Sequence, residues 1–217
     1  MKTAIVLGAT GLVGSQLLRI LLDDNRFRQV LIFVRRATGI SHAKLKEHII
    51  NFDQPEEWKR LVKGDVLFSA FGTTIQKAGS KEAQYKIDYT YQYQVAKAAA
   101  ENAVPTYVLI SAAYSSPDSK VFYSRIKGEL ERDVATLPFK TIHILRPGML
   151  NGNRKERRVG ESAGIVVMNL LSKIPGLGKL KPIIDTEVAR AMVNVAVKPA
   201  TGVHSYTLGE LFPLANQ

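Results

Sequence analysis

Three side chains in this sequence have the types and spacing for acid–base chemistry: Ser111, Tyr123 and Lys127. Tyr123 and Lys127 stand at i and i+4, which puts a phenol and an ammonium on one face of a helix, where the cation favours the phenolate. A phenol with the ordinary pKa of about 10 needs such help to exchange protons near neutrality. Spacing alone does not single the pair out, because Tyr93 and Lys97 share it. Those two, however, sit within an alanine-rich helical run and lack a serine at the end of a preceding strand.

A second pattern is suited to binding. Gly8-Ala9-Thr10-Gly11-Leu12-Val13-Gly14 follows a strand-like run and opens a helical one. In that context the first glycine permits a tight turn, the second lets a pyrophosphate approach the backbone, and the third allows close helix packing. The helix N-terminus adds free N–H groups and a positive dipole. The spacing is G-x-x-G-x-x-G, a departure from the common G-x-G-x-x-G. Gly8, Thr10, Gly11, Leu12, Val13 and Gly14 are therefore the expected cofactor contacts. About 20 residues further on, an NAD enzyme places an acid that accepts from the ribose 2′-hydroxyl. Here Arg35 and Arg36 occupy that place, and a guanidinium can fork onto a 2′-phosphate. NADP(H) is expected over NAD(H).

The elements that must position these groups are legible as short Val/Ile/Leu-rich runs at residues 4–7, 30–34, 66–71, 107–110 and 141–145, with helical patterns between them. That alternation predicts βαβ units, right-handed crossovers and an α/β doubly wound parallel sheet, the Rossmann fold. Helices are expected over residues 14–22 and 81–102. At 217 residues the chain suits a single domain. After Arg146-Pro147-Gly148 the pattern gives a basic stretch, an apolar helix near 163–172, a Pro/Gly-rich run at 174–182 and a helix over 185–197. Residues 149–217 are thus expected to form a small substrate-side lobe.

With the glycine loop, Ser111 after the fifth strand and Tyr123-Ser124-Arg125-Ile126-Lys127, the sequence resembles the short-chain dehydrogenase/reductase superfamily. Phe71-Gly72-Thr73-Thr74, the Ser111 to Tyr123 spacing and Arg146-Pro147-Gly148 resemble its atypical branch of Tat-interacting NADPH-binding proteins and their microbial relatives. The resemblance implies that Tyr123 is the general acid for a carbonyl, that Lys127 lowers its pKa and contacts the nicotinamide ribose, and that Ser111 hydrogen-bonds the substrate oxygen. It further implies Asn51, with Phe52 beside it, near the adenine, Gly72 and Thr73 close to the cofactor, and Pro147 and Gly148 flanking the nicotinamide. Where many members carry an asparagine before the serine strand, this chain has Asp88. An ionised aspartate accepts hydrogen bonds but cannot donate as an amide does.

Composition narrows the alternatives. Without cysteine there is no disulfide, thiolate metal site or thiol nucleophile, and the four histidines show no H-x-x-x-H pair for zinc. The first residues lead straight into the glycine loop without a signal-peptide apolar region, and no run approaches the roughly 20 apolar residues of a membrane span. A cytoplasmic address is expected. The net charge of +11 and the cluster Arg154 to Arg158 leave a peripheral membrane contact open. No aromatic stacking pattern accompanies that cluster, so no nucleic acid is expected. The sequence predicts an NADPH-dependent oxidoreductase of the carbonyl reductase type acting on a small molecule. Two rivals are an NADPH-binding regulator or scaffold and a nucleotide-sugar epimerase-like enzyme.

Overall fold

The computed structural model describes residues 1–151 and 181–217. Its strands are β1 (Lys2–Leu7), β2 (Phe27–Val34), β3 (Leu45–Ile49), β4 (Val66–Ser69), β5 (Thr106–Ile110), β6 (Thr141–Arg146), β7 (Leu150–Asn151), β8 (Ile183–Ile184) and β9 (Gly202–Thr207). The helices are α1 (Leu12–Asp23), α2 (Pro55–Trp58), α3 (Ile75–Ala78), α4 (Lys81–Tyr85), α5 (Gln92–Glu101), α6 (Phe122–Val134), α7 (Asp185–Val197) and α8 (Leu211–Ala215). The main sheet runs β3-β2-β1-β4-β5-β6-β9, and its strands are parallel throughout. Order reverses between β1 and β4, so the loops leaving them diverge and open a crevice at the carboxyl edge.

Continuous apolar runs are what a sheet covered on both faces requires. Along β1, Ala4 and Val6 join one core with Leu17, Leu18 and Leu21 of α1, while Ile5 and Leu7 join the opposite core with Val95, Ala96 and Ala99 of α5. The small residues of α5 let that helix lie close to the sheet.

Three features differ from the pattern in the sequence. The helix expected over 81–102 is continuous in path but passes through a π-helical turn at Lys86–Tyr91. β9 extends the sheet beyond β6, although Gly-Val-His-Ser-Tyr-Thr has no apolar run, because an edge strand is covered on fewer sides. The described part of the expected lobe is also divided. Val188, Ala189 and Met192 of α7 pack into the core with α1, whereas β7 and β8 pair in a separate two-stranded sheet. The expected apolar helix near 163–172 and the basic cluster Arg154 to Arg158 lie outside the described residues.

Candidate functional site

The glycine turn is built by backbone geometry. Gly8 sits at φ +87°, and the Gly11 amide donates to the Gly8 carbonyl at 2.9 Å. A Cβ on Gly14 would lie 1.9 Å from that same carbonyl oxygen, and one on Gly8 would lie 2.5 Å from the Ala70 oxygen. Only glycine lets α1 start this close to β1 and β4. Gly11 occupies the N-cap of α1 without a capping side chain, so the first amides of the helix keep free N–H groups. The Val13 side chain is buried in the core, leaving its backbone for any ligand.

Beside the turn lies a cleft of about 280 Å³ lined by Gly8, Thr10, Arg35, Arg36, Phe52 and Phe71 among others. The turn and both expected arginines therefore face one space. Phe52, buried, forms its floor by stacking on Phe71 at 5.5 Å and on Tyr91 at 5.2 Å. Asn51 is placed differently: it lines an adjoining cleft of about 460 Å³ that shares Arg35 and Phe52. Its side chain donates to Gln54 and accepts from the Asp53 amide, both at 3.0 Å.

Lys127 and Asp88 lie beside the loop after β4, and Ser111 at the carboxyl end of β5. Lys127 is 4% exposed, and its Nζ lies 3.9 Å from Oδ2 of Asp88, which is 0% exposed. The Asp88 carboxylate accepts from the Thr73 amide at 2.7 Å and from Gln84 Nε2 at 3.4 Å. A Cβ on Gly72 would be 3.5 Å from both Asp88 Oδ1 and Lys127 Nζ. Asp88 is thus shielded behind the site, with its carboxylate spent on Thr73, Gln84 and Lys127. The π turn makes this placement possible, and Gln92 takes up the Asp88 carbonyl at 2.6 Å. Ser111 follows β5; its amide donates to Leu145 at 2.8 Å, while its Oγ is buried with no partner among the described residues. Tyr123 stands one helical turn before Lys127 and is 40% exposed. Pro147 accepts from the Ala113 amide at 2.9 Å, and a Cβ on Gly148 would come within 3.0 Å of Leu208.

Two positioning features escaped the sequence reading. Glu131 of α6, nearly buried, takes a forked contact from Arg146, with Nη2 at 2.5 Å, and accepts from Ser115 Oγ at 2.5 Å. The hydrogen-bonded carboxylate pushes the Arg146 guanidinium above its ordinary pKa. Gly128 lets the loop after β5 cross α6 directly, since a Cβ there would lie 2.2 Å from the Ser116 backbone. A glutamate on the same helical face as Lys127, and a glycine immediately after it, were the available signals.

A crevice at the sheet's reversal point, capped by a glycine turn with free helix amides, defines a nucleotide-binding protein of Rossmann fold. The chain belongs to the NAD(P)H-binding family, whose model matches residues 8–198. It is 38% identical over 201 residues to Protein FMP52, mitochondrial, of Meyerozyma guilliermondii, covering 90% of this chain and 86% of the relative. To the protein of that name in Candida albicans it is 36% identical over 206 residues, covering 92% and 90%. Among solved structures, the Bordetella bronchiseptica enzyme WbmH in complex with NAD+ superposes with a TM-score of 0.71 at 17% identity, covering 96% of this chain and 76% of that one. A tyrosine-to-phenylalanine variant of ElxO with NADPH bound gives 0.67 at 17% identity, covering 97% and 99%. The fold accordingly serves either nucleotide. The cytoplasmic address expected from the sequence is overturned, because these FMP52 relatives are named as mitochondrial. A chain without cysteine is equally compatible with an organelle, so that composition never distinguished the two.

Proposed function

We propose that the protein is an NADPH-dependent reductase of small carbonyl compounds. The observation that carries this is the cleft in which the glycine turn after β1 meets Arg35 and Arg36 after β2, at the carboxyl edge of the sheet. The free amides of α1 would hold the pyrophosphate and the two guanidiniums the 2′-phosphate. Phe52 would lie under the adenine, with Asn51 at its edge. Gly72, Thr73, Pro147 and Gly148 would border the nicotinamide, and Lys127 would hold its ribose. Bound there, NADPH supplies a hydride to the carbonyl carbon. Tyr123 would give its hydroxyl proton to the carbonyl oxygen, and the partnerless Ser111 hydroxyl would donate to that same oxygen. Asp88 would act from behind, fixing Lys127 and the Thr73 amide. The names of the relatives support a mitochondrial address.

The exposure of Tyr123 favours a second reading, an NADPH-binding regulator with little turnover. Titration with NADPH and a carbonyl panel separates the two. The reductase consumes NADPH with some member of the panel, and Tyr123→Phe binds NADPH with unchanged affinity but loses turnover. A fully active Tyr123→Phe enzyme refutes the assignment of the acid, and protein with no affinity for NADPH refutes the whole reading.

A further inference from the structure

Among the described residues, three other than glycine adopt positive φ: Ala103, Tyr114 and Leu208. Two are explained by what they do for the fold. Ala103 closes α5, where the amides of Ala103 and Val104 return to the carbonyls of Ala100 and Ala99. Leu208 places its side chain against Gly148. Tyr114 is the third residue of a turn that the Ser115 amide closes on the Ala112 carbonyl at 3.3 Å, which sets its backbone but gives its side chain nothing to do for the fold. At φ +62° it holds a bulky side chain in the left-handed region, and the residue is 73% exposed. A strained residue whose side chain contributes no packing persists only where its surroundings force it.

Those surroundings are unusually firm for a loop. Before Tyr114, the Ser111 amide is tied to Leu145 at 2.8 Å and the Ala113 amide to Pro147 at 2.9 Å. After it, Ser115 Oγ is bound to Glu131, and the Ser116 amide donates to the Ser124 carbonyl at 3.1 Å. Gly128 brings α6 against the backbone of Ser116 and Pro117. The loop is therefore fastened to β6 on one side and to α6 on the other, with Tyr114 between Ser111 and the neighbour of Tyr123. Other exposed apolar side chains stand in the segments after β4 and β5: Ile75 at 43% and Val121 at 62%.

We infer that Tyr114 is a specificity-determining residue whose ring, held outward by the strained turn, packs on the body of an aromatic or strongly apolar carbonyl substrate. The proposal rests on the reductase reading for the reaction, and on the loop alone for the contact. An aromatic ring presented rigidly offers contact area without an ordering cost, and ring pairs add to what burial alone gives.

The test compares wild type with Tyr114→Gly and Tyr114→Phe, using 2-naphthaldehyde against acetaldehyde as substrates and 2-naphthol as a calorimetric probe on NADPH-loaded protein. Glycine takes the left-handed conformation without strain, so Tyr114→Gly folds and its thermal midpoint does not fall. Its ratio of kcat/KM for 2-naphthaldehyde over acetaldehyde is expected to fall about tenfold, through KM, and its Kd for 2-naphthol to rise in parallel. In Tyr114→Phe, which keeps the ring, both should change less than about threefold. Unchanged ratio and Kd in Tyr114→Gly overturn the proposal, as does wild type that binds NADPH but neither aromatic probe. Binding of 2-naphthol that depends on Tyr114, in protein that reduces no carbonyl, upholds the contact and sinks the reductase reading instead.

Discussion

Coenzyme preference should reside in two side chains and be removable without loss of the fold. Arg35 and Arg36 follow β2, line the cleft with the glycine turn, and are both exposed. Exposure sets the magnitude: a charge-assisted contact to a 2′-phosphate in water is worth about 1 kcal/mol, the upper end of the range for exposed ion pairs. Replacing either arginine by alanine should weaken NADPH binding about fivefold, and replacing both about thirtyfold. NADH lacks the phosphate, so its affinity should stay within about twofold. The preference is also screenable, and raising salt from about 50 mM to about 300 mM should shrink it in wild type while leaving the double variant insensitive. Titration calorimetry with both nucleotides at the two salt concentrations reads every term. A double variant that keeps the wild-type NADPH to NADH ratio would show that the arginines are ordinary surface charges and that selection lies elsewhere.

Gly14→Ala places a Cβ 1.9 Å from the Gly8 carbonyl oxygen, so α1 must back away from the turn. A stability loss of about 1–3 kcal/mol and a fall in NADPH affinity beyond tenfold are expected, read by urea unfolding and titration; full affinity would mean that the turn does not hold the pyrophosphate. His143, 2% exposed, has its pKa lowered from 6.5 to about 4 by burial and then by the nearby His204. Because the unfolded chain takes up a proton that the folded protein resists, stability present above pH 6.5 is lost as pH falls toward about 4. Between about pH 7.5 and about pH 5 this amounts to roughly 2 kcal/mol, and His143→Phe should remove that part of the pH dependence; an identical drop in both proteins would refute it.

What the sequence discloses, and what it hides, follows from the range of the interactions involved. The glycine turn, the two arginines and the core strands were legible because each rests on local backbone rules or on continuous apolar runs. β9 was not, since Gly-Val-His-Ser-Tyr-Thr becomes a strand only by pairing with β6. Asn51, expected near the adenine, lines the adjoining cleft that shares Phe52, and the local turn its carboxamide closes to Asp53 and Gln54 was not legible. Asp88 was legible as a departure from asparagine, while its burial was not. The π turn that carries it has no composition signature, and two of its partners, Thr73 and Lys127, come from other segments.

The positioning of α6 follows from where charge is buried. A buried carboxylate is tolerated when paired and hydrogen-bonded, and α6 meets two of them. Lys127 on its inner face meets Asp88, which also grips the loop after β4 through the Thr73 amide. One turn on, its Glu131 meets Arg146 at the end of β6 and Ser115 in the loop after β5. Removing one partner of either pair would strand a charge in the interior, so α6 has little freedom to slide along its axis. Apolar packing through Ile126, Leu130 and Val134 holds the helix against the sheet, but such contacts tolerate small shifts. The two ionic ties supply the register. They fix the helix that carries Tyr123, which is itself exposed and has no hydrogen-bond partner among the described residues.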